Sequence, residues 1–153
     1  MERLYLDSSV FGGYFDEEFK IWSRRLIEKI IDREFQLVFS EVNADELRSA
    51  PTNVIQLVKR VQAVQPKVTL VTPEAVALAS RYVKEKVVGG SSMADCLHIA
   101  VATLAKADIL ASWNFKHIVN VQRIRGYNFV NEKLGHAPLE IRTPREILPD
   151  EEG

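Results

Sequence analysis

Four residues stand out by type and by position: Asp7 in "LYLDSSV", Glu46 in "SEVNADEL", Asp95 in "MADCLHIA" and Asn114 in "ASWNFKHI". Asp7 directly follows a short apolar run, and Asn114 ends another. Glu46 falls just past a third apolar run, and Asp95 opens an apolar helix-like stretch. Carboxylates gathered in one place repel unless something compensates. A divalent cation does so, and ligands that are all oxygen favour Mg²⁺ or Mn²⁺ over zinc. Such an ion can activate water and stabilise the charge that develops on a phosphodiester. Asn114 could add an amide oxygen without adding charge.

Each of these residues also has a plainer reading. Asp7, before Ser8 and Ser9, can cap a helix or turn. Glu46 shares a short segment with Glu41 and Asp45, and such acidic segments are usually solvated helix faces. Asp95 gains from the helix dipole in a first turn, by about 0.3–1 kcal/mol. Ser91 and Ser92 already offer capping there, however, so a carboxylate on so apolar a helix points towards a site. His98, three residues beyond Asp95, shares its helix face and reads as a packed histidine or an orienting partner. A zinc reading of this Asp-x-x-His pair lacks further ligands, with His117 and His136 scattered. Trp113 and Phe115 read as packing anchors, with base stacking by Trp113 as the alternative. Asp108 begins its strand, at the end opposite Asn114, and reads as a turn residue.

The elements that must position these residues alternate. "RLYL" (3–6) and "FQLVFS" (35–40) read as strands, and "DILAS" (108–112) as a third. A helix carries Phe19, Trp22, Leu26 and Ile30 at helical spacing. "SEVNADELRSA" is a short helix stopped before Pro51, and "NVIQLVKRVQAV" is an amphipathic one. Thr72 and Pro73 mark the start of the next. Gly89 and Gly90 break the chain before a helix, capped by Ser91 or Ser92, that runs to about Lys106. "VNVQRIRGYNFVNEKLG" looks helical but interrupted at Gly126, and "LEIRTP" reads as an edge strand. The alternation predicts a three-layer α/β/α sandwich around a mostly parallel sheet, with ligands beyond the carboxyl ends of the strands. One domain over 1–148 and a short acidic tail over 149–153 are expected.

Composition sets limits on function. The chain has 153 residues, 46% hydrophobic and 27% charged, and its 20 basic and 21 acidic side chains leave a formal charge of -1. That balance lacks the overall positive charge of a general nucleic-acid binder. No apolar run approaches a membrane span of about 20 residues. The single Cys96 cannot form an internal disulfide. The default expectation is a cytoplasmic protein.

The stretches "LYLDSSVF", "VFSEVNADEL", "MADCLHIAVA" and "ILASWNFKHI", in this order, resemble the PIN-domain nucleases, specifically the small VapC-like kind found among toxins. The resemblance implies the α/β/α sandwich and an acidic cluster that binds Mg²⁺ or Mn²⁺ and cleaves RNA. Asp7, Glu46 and Asp95 match the family's first three acids, and Ser9 matches a small polar position that supports the first. Asn114 stands where an Asp is usual, which removes one negative charge and implies weaker binding of a second metal. The resemblance also implies a homodimer and an antitoxin partner. Lys116, Arg123 and Arg125, after the fourth motif, are the candidate RNA-backbone contacts. Two other readings compete: a PIN-like module that binds RNA or protein without cutting, and a phosphatase of the haloacid-dehalogenase type. The phosphatase wants a second Asp two residues after the first, and Ser9 occupies that place.

Overall fold

The computed structural model describes residues 1–149, so the expected acidic tail lies, from Asp150 onward, outside the described residues. Strands β1 (Arg3–Leu6), β2 (Gln36–Ser40), β3 (Lys67–Thr69), β4 (Ile109–Ala111) and β5 (Glu140–Arg142) form one sheet in the order β3-β2-β1-β4-β5. All neighbours are parallel, with Tyr5 opposite Val38 on one side and Leu110 on the other. The helices are α1 (Ser8–Gly13), α2 (Lys20–Ile31), α3 (Glu41–Leu47), α4 (Thr52–Gln62), α5 (Pro73–Lys84), α6 (Met93–Leu104), α7 (Val121–Lys133) and α8 (Pro144–Ile147).

The strand pleat sends successive side chains to opposite faces, and two cores follow. Leu4, Leu6, Leu37, Phe39, Ile109 and Ala111 pack with Phe11 of α1, Leu26 and Ile30 of α2, and Leu57 and Val61 of α4. Tyr5, Val38, Leu110 and Ile141 pack with Leu78 and Tyr82 of α5, Ile99 of α6 and Tyr127 of α7. Helices on both faces of a parallel sheet make the expected three-layer sandwich. Helix α6 is the most enclosed: Cys96 and every residue from His98 to Thr103 are buried. A helix apolar on nearly all sides belongs inside, so any polar group it carries must find partners there.

Several local expectations hold, and the rest fail for identifiable reasons. Thr72 caps α5, its hydroxyl accepting from Ala75 N–H, with Pro73 at the first helical position. Ser92 sits at the N-cap of α6 but makes no side-chain cap bond, because a 3₁₀ turn (Gly90–Ser92) leads straight into the helix. Gly126 does not interrupt α7, which is continuous across it. A Cβ there would lie 2.7 Å from Val87 Cγ1, so this glycine serves a close helix–loop approach. The edge strand β3 and the short helix α1 escape the periodic reading because each is too short to show a period.

Candidate functional site

The pleat that builds the core also builds the site. On the α6 face, Tyr5 is followed by Asp7, Val38 by Ser40, and Leu110 by Ser112. Where the strands end, this row changes from apolar to polar. The chain winds β1-β2-β3 in one direction and then places β4 on the other side of β1. Sheets of this type bind ligands where the order reverses. Asp7 and Ser112 flank that point, and Asp7 N–H continues the ladder to Ala111 O at 2.9 Å.

Asp7 is buried and occupies the N-cap of α1, yet its carboxylate makes no capping bond. Oδ2 instead accepts from Ser9 Oγ at 2.6 Å and Ser112 Oγ at 2.8 Å. Oδ1 lies 3.4 Å from His98 Nε2. The same nitrogen lies 2.5 Å from Glu46 Oε1. Glu46 reaches it from α3, a helix fixed by a reciprocal capping box between Ser40 and Asn43. The other His98 nitrogen, Nδ1, lies 2.6 Å from Tyr5 Oη, which lies 2.6 Å from Ser40 Oγ. His98 has no solvent exposure, whereas the Glu46 side chain is 37% exposed.

Burial pushes His98 towards its neutral form, but the Glu46 hydrogen bond and the charge of Asp7 outweigh it and hold the imidazole above its ordinary value. Burial pushes Glu46 up, yet the bond to His98 and its charge leave that carboxyl below the usual range. Burial first, then the charge of Asp7, holds the Tyr5 phenol protonated well above its usual range, against the Ser40 bond.

Asp95 heads a second, outer group. Its Oδ1 accepts from Asn114 Nδ2 at 3.2 Å, and its Oδ2 lies 3.2 Å from His117 Nδ1. Asn114 Oδ1 accepts from His117 N–H at 2.9 Å, which pins the turn after β4. Asn114 therefore turns its oxygen to the backbone and its amide nitrogen to the carboxylate. Burial, then the charge of Asp7, holds Asp95 above the usual carboxylate range, with His117 and His98 pulling the other way. Glu46 adds to the upward push, so the three acids sense one another.

Trp113 is a packing residue. Its ring stacks on Phe19 at 4.4 Å, its indole N–H donates to Ser23 Oγ, and its backbone N–H donates to Ser9 Oγ. A Cβ on Gly13 would lie 2.9 Å from the Trp113 ring, so α1 can approach only as glycine. Phe115, expected as an anchor, is instead 52% exposed. Lys116 is exposed beside the site. Arg123 donates to the carbonyls of Val87 and Lys116 and therefore tethers loops. Arg125 lines a surface groove with Glu85, Lys86 and Phe129, none of them a site residue.

Reading the sequence brought out Asp7, Glu46, Asp95, Asn114 and Ser9, and the fold gathers them all. It understated two histidines. His98 bridges Glu46 and Asp7, and the signal was its position one turn after Asp95 on a buried helix. His117 pairs with Asp95 across 22 residues of sequence, and no local pattern shows that.

Ligand atoms of Asp7, Glu46 and His98 all lie within 4.8 Å of one another. Two carboxylates and an imidazole at that spacing fit a divalent cation. Comparison with known proteins agrees with the fold. A chain of "VapBC2 from Rickettsia felis bound to a DNA fragment from their promoter" superposes with a TM-score of 0.54 at 13% identity, covering 91% of this chain and 98% of that one. No curated protein matches. The PIN domain profile matches residues 4–116, and the chain belongs to the PIN domain family.

Proposed function

We propose that this protein is a metal-dependent endoribonuclease, with Asp7, Glu46 and Asp95 as its catalytic carboxylates. The observation that supports the reading most is their convergence at the switch point of the sheet. Asp7 is held there by two hydroxyls, Ser9 and Ser112. Mg²⁺ or Mn²⁺ is the proposed ion, held by Asp7, Glu46 and Asp95. It would supply charge neutralisation and acidify a coordinated water. The chain's own residues do the rest. Ser9 and Ser112 aim the Asp7 carboxylate, and His98 keeps Glu46 turned inward. Asn114 holds Asp95 by donating from its amide nitrogen, a revised role in place of metal ligation. Lys116 is the basic residue best placed to meet the RNA backbone.

We extend this reading to a toxin's role with an antitoxin as protein partner, which draws support from the fold shared with a VapBC2 chain, and to a homodimeric state and a cytoplasmic setting. No helix among the described residues is long and apolar enough to cross a membrane. A second reading, a binding module with weak or no catalysis, draws support from Asn114, whose oxygen is engaged and whose place carries no charge. A mixed RNA pool incubated with Mg²⁺, Mn²⁺ or EDTA separates the two. We expect cleavage that needs the ion and falls by more than about 100-fold in Asp95→Asn, beyond what outer-shell partners usually cost. Folded protein that never cuts with either ion favours the module.

A further inference from the structure

Counting protons along the buried polar chain shows what His98 is built to hold. Asn43 Nδ2 donates to Leu6 O and Ser8 Oγ, so Asn43 Oδ1 faces Ser40 as an acceptor only. Ser40 Oγ has one proton and two acceptors in reach, Asn43 Oδ1 at 3.1 Å and Tyr5 Oη at 2.6 Å. With that proton on the Asn43 side, Ser40 accepts from Tyr5 Oη, and Tyr5 Oη accepts from His98 Nδ1–H at 2.6 Å. The neutral imidazole that results carries a bare lone pair on Nε2. That lone pair faces Glu46 Oε1 at 2.5 Å and Asp7 Oδ1 at 3.4 Å. In that tautomer three lone pairs converge on one point, an arrangement that suits a cation between them. In the metal-free chain a proton fills the place.

We infer that His98 Nε2 is an inner-sphere metal ligand together with Asp7 and Glu46, which makes this a mixed nitrogen and oxygen site for Mn²⁺-like first-row ions in preference to Mg²⁺. The inference rests on the proposed metal-dependent reading of the same site and replaces its all-oxygen ligand set. Imidazole suits the borderline first-row ions, whereas Mg²⁺ keeps to oxygen. A ligating histidine usually donates its other N–H to a partner that fixes ring and tautomer, and Tyr5 stands in that position. His98 is fully buried and cannot swing aside; Glu46, the exposed member, can adjust.

The test is spectroscopic and independent of cleavage. Metal-free protein is loaded with Mn²⁺ and its pulsed EPR spectrum is recorded with natural and with ¹⁵N-labelled histidine. We expect a nitrogen coupling that changes with the label, survives in His117→Ala and disappears in His98→Gln. Titration of the wild type should show Mn²⁺ binding more tightly than Mg²⁺, and His98→Gln should lose most of that margin. Mn²⁺ bound without histidine coupling overturns the inference, as does a coupling lost in His117→Ala. Should His98→Gln fail to fold, the labelled wild type and His117→Ala decide alone. Oxygen-only binding with metal-dependent RNA cleavage would overturn the ligand and leave the nuclease reading intact. Histidine coupling without cleavage would do the reverse, and no binding of either ion would overturn both.

Discussion

The two halves of the acid cluster are built in opposite ways. The inner half, Asp7, Glu46 and His98, is tied through Tyr5 and Ser40 into the sheet, and its fully buried imidazole draws carboxylates from two different elements. The outer half, Asp95, Asn114 and His117, lies at the rim, with 21% and 29% exposure for the Asp95 and His117 side chains. Its links are one amide bond to Asp95, one backbone bond from His117 to Asn114, and a 3.2 Å contact between Asp95 and His117. Consequently Glu46 is held below its ordinary value and Asp95 above it, although both are carboxylates of one site. The same charge costs or stabilises according to whether a positive partner is buried with it. The inner half is a frame anchored on a fully buried imidazole, with Glu46 as its exposed arm, and the outer half has no such buried anchor.

The strongest way to break this contrast is Tyr5→Phe. It removes one oxygen and leaves His98 Nδ1 and Ser40 without their shared partner. Buried groups stranded in this way cost roughly 1–3 kcal/mol. Urea unfolding of the metal-free protein should show that loss, and an unchanged midpoint would mean the inner chain is not a frame.

The pH dependence of the metal-free protein comes next. His98 is raised in the fold, so its contribution is complete below its unfolded value near 6.5 and fades as pH rises through the folded value. Glu46 is lowered, so its contribution is present above about 4.5 and lost as pH falls through the folded value. Asp95 is raised and works against the fold as it ionises above 3.8. Stability should therefore be greater at pH 6 than at pH 8, and His98→Gln should flatten that difference in thermal melts.

Asn114→Asp sharpens the contrast from the outer side. It trades a donor to Asp95 for a second carboxylate, so the metal-free protein should lose about 1 kcal/mol, the scale of one pKa unit of repulsion. The gain in melting temperature on adding Mn²⁺ should grow, because a cation would relieve the new repulsion. Smallest of all should be His117→Ala. Partly exposed pairs contribute little, and we expect under about 1 kcal/mol in the same unfolding assay. A larger loss would move His117 into the frame.

Much of the fold was legible in the sequence, for physical reasons that can be named. Strands β1, β2 and β4 are apolar runs ending in Asp7, Ser40 and Ser112, because a parallel strand covered on both faces must be apolar until it emerges. Helices α2, α4 and α5 carry their stripes openly, since each has one buried face. Elements of three residues, such as β3, leave no period to read. The placing of Phe115 and the continuity of α7 across Gly126 depended on neighbours distant in sequence, Phe19 for the one and Val87 for the other.

The site divides along the same line. Its acids, their order and the missing charge at Asn114 are properties of local sequence, because each stands where an element begins or ends. How they pair is not. Asp7, Glu46 and His98 meet only because the end of β1, α3 and α6 converge at the carboxyl end of the sheet. The meeting of the Asn114 amide with Asp95, and the aim of His98 at Glu46 and Asp7, follow from contacts between residues distant in sequence. Only the packed tertiary structure could decide them, since a side chain's partner is set by what the fold brings within about 3 Å.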